Sequence, residues 1–365
     1  MHVLLYCHNV HGLGHIVRSS RIAAAVADAG GRATIVTGCA SLEAVPIDAR
    51  VPVVRIPPID AKRFDHEVLR VRAARILAAA RLSPPQVIVA DLLPLGLLGE
   101  LQATLTAARE ERWATTFVWG IPYVDTMAAS VAEPRNPAVL NAYRLYESAI
   151  AYMDPGGVNV FDSLPAWAVP ARRAFVGVVA GGRPDRGTRS DGLIVVACGG
   201  GTTAVSLCRA AIDARRLLPE GLATRLRLFA GPLADPAAIR ATISNEPGVE
   251  LAANVPLEAA VAHAHVVVSR SGYNSTVELL QSEIPLILVP SSGGSGDQVT
   301  RARGLGGAPG VEIVEEGPAV TQALAHALVR ALRGPAAFVR KVTPPLGAQA
   351  AARWLLDTPA RTEGR

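Results

Sequence analysis

VVVSRSGYNSTVELLQSEIPLILVPSSGGSGDQVTRA, residues 266–302, decides how the rest of the chain is read. An apolar run, Val266–Val268, stops at Ser269-Arg270-Ser271-Gly272. A helix-like pattern follows, carrying Val277, Leu279 and Leu280 with Glu278 among them. A second apolar run, Pro285–Val289, stops at Pro290 and a Gly/Ser loop, and Asp297-Gln298 opens another helical stretch. Strand, loop, helix, strand, loop, helix is the order of a parallel α/β sheet.

The loop after the first strand is small and polar, and a helix begins at once. Backbone N–H groups in such a loop approach a phosphate closely, and the positive end of the helix favours negative charge. Glu278 falls about two turns into that helix. A carboxylate there accepts two hydrogen bonds from a ribose diol and would serve a phosphate badly. Asp297 and Gln298 follow the next strand, where open α/β sheets bind ligands. An ordinary βα unit without a ligand would show the same order of elements.

The stretch resembles the nucleotide-sugar site of GT-B glycosyltransferases, and most closely that of MurG-type enzymes, the type with a glycosyltransferase family 28 C-terminal domain. Those carry an R-S-G…E signature followed by P…(D/Q)Q…A. Here these are Arg270-Ser271-Gly272…Glu278 and Pro290…Asp297-Gln298…Ala302. The resemblance implies that Arg270, Ser271, Gly272, Tyr273, Asn274 and Ser275 meet the donor diphosphate. It implies that Glu278 holds the ribose, and that Asp297 and Gln298 hold the donor sugar. Asp297-Gln298 stands where MurG-type enzymes carry Gln-Gln, so the sugar need not be N-acetylglucosamine.

The chain has 365 residues, two domains on the usual size prior, and half of them are hydrophobic. Net charge is +5, but the basic residues are scattered, nearly all are arginine, and aromatics make up only 4%. A nucleic-acid partner is therefore disfavoured. Cys7, Cys39, Cys198 and Cys208 show no metal spacing and read as buried reduced thiols. No apolar run approaches a membrane span, and the N-terminus lacks a signal-peptide pattern, so a cytoplasmic location is expected, with peripheral membrane contact left open.

The first half opens with a βαβ unit. Val3–Cys7 reads as a strand, residues 8–15 as its exit loop, Ile16–Ala29 as a helix ended by Gly30-Gly31, and Ala33–Thr37 as the second strand. Val17 occupies the third glycine position of a dinucleotide fingerprint, and no acidic residue ends the second strand, so that reading fails. Gly12-x-Gly14-His15-x-x-Arg18 resembles instead the G-x-G-H loop of GT-B N-terminal domains, in which a histidine lies near the acceptor. His15 is the expected general base; His8 and His11 share its loop and remain alternatives. Gly14 and Arg18 are expected on the acceptor side, with a solvated face the alternative for Arg18. Asp91 ends the strand Val87–Ala90 and, by resemblance to plant-type GT-B enzymes, is expected to orient His15; a helix N-cap is the other reading. Leu92-Leu93 and Leu97-Leu98 read as a core helix or a membrane-facing patch. Phe117–Trp119, part of Tyr143–Met153, and Phe175-Val176-Gly177 are further expected strands.

Residues 180–187 form the best linker. The expected domains are 1–180, for the acceptor, and 181–365, for the nucleotide sugar, with the terminal helix at 349–356 able to pack back on the first. Leu193–Cys198 restarts the pattern, and Gly200, Gly201 and Thr202 in the loop after it resemble a phosphate-binding turn. Asn254-Val255 is expected to read the nucleotide base. The fold class is thus α/β, with two Rossmann-like parallel-sheet domains facing a cleft. The expected activity is metal-independent, inverting transfer of a hexose from a nucleotide diphosphate sugar, of UDP type, to a small-molecule or lipid acceptor. There is no D-x-D motif, and no metal or other cofactor is expected. A nucleotide-sugar hydrolase of the same fold, or a module that binds the nucleotide without chemistry, are the alternatives.

Overall fold

A computed structural model describes residues 1–8, 12–59, 65–122, 140–141, 143–154, 159–181, 190–198, 204–222, 224–231, 234–243, 246–253, 255–292, 297–335, 337–340 and 346–358. The chain divides into two compact units: Met1–Ala180 with Pro345–Arg365, and Gly181–Pro344.

Unit 1 carries β1 (His2–Cys7), α1 (Gly14–Asp28), β2 (Arg32–Thr37), β3 (Val53–Arg55), α2 (His66–Leu82), β4 (Val87–Asp91), α3 (Gln102–Glu110), β5 (Thr116–Ile121), β6 (Ser148–Ala151) and β7 (Arg172–Phe175). Its strands form one parallel sheet in the order β3-β2-β1-β4-β5-β6-β7. The sequence winds outward from β1 on one side and from β4 on the other. The reversal of direction therefore lies between β1 and β4, where loops leave the strand ends in opposite directions. β1, β4 and β5 are buried at every position, which is why their runs are apolar without alternation.

Unit 2 follows with β8 (Leu193–Ala197), α4 (Ala204–Arg216), β9 (Arg225–Ala230), α5 (Pro236–Ile243), β10 (Val249–Ala253), α6 (Leu257–Val261), β11 (Val266–Ser269), α7 (Tyr273–Gln281), β12 (Leu286–Leu288), α8 (Asp297–Gly304), β13 (Val311–Ile313) and α9 (Val320–Arg333). Its parallel sheet has the order β10-β9-β8-β11-β12-β13, with the reversal between β8 and β11. Side chains alternate across a strand, so β8 feeds two cores. Ile194, Val196 and Cys198 pack with Leu207 and Leu324 on one face; Leu193, Val195 and Ala197 pack with Val261 and Leu279 on the other. Each large apolar side chain fully buried this way contributes about 1.5–3 kcal/mol. No helix among the described residues is long and apolar enough to cross a membrane.

The last helix, α10 (Gly347–Leu356), belongs to unit 1, so the second unit stops at Pro344 and does not run to residue 365. It packs on α1, burying Ala348, Ala351, Ala352 and Leu355. Two glycines permit the approach: a Cβ on Gly31 would lie 2.8 Å from Leu356, and one on Gly347 would lie 2.5 Å from the Val178 carbonyl. Arg172 secures the helix end, its guanidinium 3.7 Å over the Trp354 ring and bonded to Thr358.

Several boundaries depart from the sequence expectations. The strand expected at Phe175–Gly177 runs Arg172–Phe175, because Gly177 turns the chain away at φ 79°. The leucines after Asp91 do not form a core helix. Residues 92–99 make irregular turns, α3 starts only at Gln102, and Leu92 is buried. The arginine-rich α2 buries one of its arginines. Arg72 is fully buried and pairs at 2.7 Å with Glu100, which also accepts from Tyr6 Oη at 2.5 Å and from Leu98 N–H at 2.8 Å. With those partners a buried ion pair satisfies its hydrogen-bonding groups, the condition for tolerating charge in a core.

Candidate active site

Unit 1 brings His15 and Asp91 together through its topology. Asp91 is the last residue of β4, and His15 lies in the first turn of α1, directly after the β1 exit loop. The two strands are neighbours across the reversal point, with Tyr6 paired to Ala90. His15 Nδ1 lies 2.6 Å from Asp91 Oδ2. The next residue, Leu92, adopts φ 65°, a region costly for a side chain with a Cβ. Its N–H donates to the Gly120 carbonyl at 2.7 Å, and its carbonyl accepts from Trp119 Nε1 at 2.8 Å, which holds the sharp turn. The chain thus leaves the sheet abruptly at the carboxylate. Asp91 is not a helix N-cap, since the next helix after it starts only at Gln102.

Arg18 corrects a sequence expectation. It does not face solvent: it is buried, and it grips Asp91. Its Nη2 donates to Oδ1 at 2.9 Å and to Oδ2 at 2.7 Å, and its Nε lies 3.2 Å from Oδ1. Burial pushes the Asp91 carboxyl upward, but Arg18 and His15 outweigh it and hold it at about 2. Asp91 is therefore ionised at neutral pH and can only accept. The hydrogen-bond network then assigns the His15 proton to Nδ1 and leaves Nε2 with a lone pair.

The His8 ring lies against that of His15, tilted by 49° with ring centres 4.3 Å apart. Burial, reinforced by His15, lowers it to about 3, so it is a poor proton acceptor at neutral pH. His11 lies outside the described residues. Gly14 starts α1, and a Cβ there would meet nothing within 4 Å.

In unit 2 the strands β8, β11 and β12 are parallel neighbours, so their C-terminal ends lie side by side. Gly272 precedes α7, whose start carries no side-chain cap, and a Cβ on Gly272 would meet open space. Tyr273, Asn274 and Ser275 form the first turn. A helix start of this kind suits an anion. Glu278 is buried in the second turn, and its Oε1 accepts from Gly181 N–H at 3.0 Å. Gln298 Oε1 accepts from Ser291 N–H at 3.1 Å, and Val255 is exposed. Asp297 is the first residue of α8. Gly200, Gly201, Thr202 and Asn254 lie outside the described residues.

Two side chains expected on the diphosphate turn inward instead. Ser271 Oγ donates to the Gln298 carbonyl at 2.8 Å, tying the β11 loop to α8. Arg270 is buried; its guanidinium meets Glu316 at 2.8 Å, Ser206 Oγ at 2.9 Å and the Val289 carbonyl at 3.1 Å. Glu316 in turn accepts from Ser292 N–H and Oγ, both at 2.9 Å. Glu316 joins segments that follow β8, β11, β12 and β13, and sequence reasoning missed it. Its only signal was an acidic pair, Glu315-Glu316, just past a short apolar run.

Residues 193–341 match the model of the glycosyltransferase family 28 C-terminal domain. No curated protein sequence matches the chain. Among solved structures, the calicheamicin glycosyltransferase CalG4 superposes with a TM-score of 0.61 at 18% identity, covering 97% of this chain and 94% of that one. The glycosyltransferase VinC, solved in complex with dTDP, gives 0.60 at 15% identity over 97% and 94%. MurG of Acinetobacter baumannii gives 0.58 at 14% identity over 98% and 99%. At these identities the structures establish the fold, and the family match establishes the second unit. The chain has the GT-B fold of these glycosyltransferases, and residues 193–341 of its second unit carry the match to the glycosyltransferase family 28 C-terminal domain.

Proposed function

We propose that the protein transfers a hexose from a nucleotide diphosphate sugar, of UDP type, to a hydroxyl or amine of a small-molecule acceptor, with inversion at the anomeric carbon. One observation carries this reading: an ionised carboxylate holds the His15 Nδ1 proton at 2.6 Å, which leaves Nε2 as a base at the strand ends of unit 1. The acceptor oxygen attacks the anomeric carbon, its proton passes to Nε2, and the bond from that carbon to the diphosphate oxygen breaks. Asp91 stabilises the imidazolium formed. The departing diphosphate takes up charge at the start of α7, where the helix dipole and first-turn backbone favour it. Arg270 serves the loops rather than the leaving group, given its pairing with Glu316.

The solved neighbours support a small-molecule acceptor, since one is named for calicheamicin, and a nucleotide donor, since another, VinC, was solved with dTDP. The donor nucleotide follows from a binding screen of UDP, dTDP and GDP by thermal shift. One of them should stabilise the protein, and Glu278→Ala should weaken that binding about tenfold, the scale of losing a hydrogen bond to a charged group. Equal binding by Glu278→Ala would contradict the ribose role. Donor cleavage at full rate with no acceptor present would point to hydrolysis.

A further inference from the structure

We propose that Arg18 is a positioning residue: it holds the Asp91 carboxylate so that the His15 proton stays on Nδ1 and Nε2 stays free to accept. The proposal rests on the reading of His15 as the base. It concerns a competition at a single atom. His15 Nδ1 has two polar neighbours, Asp91 Oδ2 at 2.6 Å and Arg18 Nη2 at 3.0 Å. A carboxylate there requires a proton on Nδ1. A guanidinium, which only donates, would require the lone pair on Nδ1 and would send the proton to Nε2. The second arrangement extinguishes the base.

The structure resolves the competition by spending Arg18 on Asp91. Nη2 reaches both carboxylate oxygens, at 2.9 and 2.7 Å, and Nε approaches Oδ1 at 3.2 Å. Contact with both oxygens fixes the carboxylate plane, which otherwise turns about a broad torsion. Arg18 is itself fixed. It is 2% exposed, its Cζ lies 5.1 Å from the centre of the Tyr152 ring, and it sits three residues beyond His15 on α1, so both side chains leave the helix on one side. The guanidinium thereby orients the carboxylate, and the carboxylate orients the imidazole. Without Asp91, the same guanidinium becomes the nearest partner of Nδ1 and reverses the tautomer.

The test is nuclear magnetic resonance of the full chain labelled with 15N-histidine, with the His15 signals identified by their loss in His15→Gln. In the wild-type protein, His15 should carry its proton on Nδ1. Arg18→Leu should give a mixture of tautomers, and Arg18→Lys, which can reach one oxygen, should retain mostly the Nδ1 form. Asp91→Ala should move the proton to Nε2. Protonation of wild-type His15 at Nε2 would overturn the proposal, as would an unchanged tautomer in folded Arg18→Leu. If Arg18→Leu does not fold, the wild-type and Asp91→Ala spectra decide. The spectrum reports on Arg18 even if His15→Ala proves fully active, so failure of the base assignment and failure of this proposal are separable.

Discussion

His8 and His15 lie with ring centres 4.3 Å apart, and it is the His15 side chain that is bonded to the Asp91 carboxylate. His8 is buried, and burial lowers it from 6.5 to about 3. The unfolded chain therefore binds a proton at His8 between those values and the folded chain does not. Stability linked to His8 is intact above pH 6.5 and is lost progressively as pH falls toward 3. At pH 5 the loss amounts to about 2 kcal/mol. Denaturant unfolding at pH 7 and pH 5 should show it in the wild type, and His8→Gln should show a smaller drop; equal drops would remove His8 as the cause. At this scale the sequence was informative about His15 and Asp91, whose types and strand-end positions fit a base and its partner. It did not pair Arg18 with Asp91, because nothing local in an early helical turn points to a carboxylate 73 residues away.

Among the elements, the loops of unit 2 depend on a residue none of the motifs contains. Glu316, after β13, holds Ser292 after β12 and Arg270 after β11, and Arg270 reaches Ser206 in α4. Glu316→Ala should loosen these loops together and weaken nucleoside diphosphate binding about tenfold in calorimetry; unchanged affinity would show that the tie does not shape the site. The strands themselves were legible because both faces are buried, which writes an unbroken apolar run. The turns at 92–99 were not, because five leucines there satisfy a helical pattern while Leu92 is held at a positive φ by Gly120 and Trp119. The return of α10 to unit 1 makes its own prediction. Leu355 is fully buried against that unit, so Leu355→Ala should destabilise unit 1 by about 2–5 kcal/mol. The thermal transition that nucleotide stabilises in unit 2 should not shift with it; a common shift would contradict the division of the chain.

For the molecule as a whole, two parallel sheets with reversal points at β1/β4 and β8/β11 repeat one design with different contents. Unit 1 places a histidine and a carboxylate at its reversal point, and unit 2 places an open helix start and a buried glutamate near its own. The family signature made the second unit readable from sequence, since Arg270-Ser271-Gly272 and Glu278 fall inside the matched region. It did not say that Arg270 and Ser271 turn their side chains inward, because a motif records residue types and not the partners that capture them. The central claim is that His15 deprotonates the acceptor while unit 2 binds the donor. The most direct test measures acceptor-dependent release of nucleoside diphosphate by wild type and His15→Ala, with nucleotide affinity measured alongside. The account predicts a fall in kcat of about 10²–10⁴ with nucleotide affinity unchanged; equal turnover by the two proteins would contradict it.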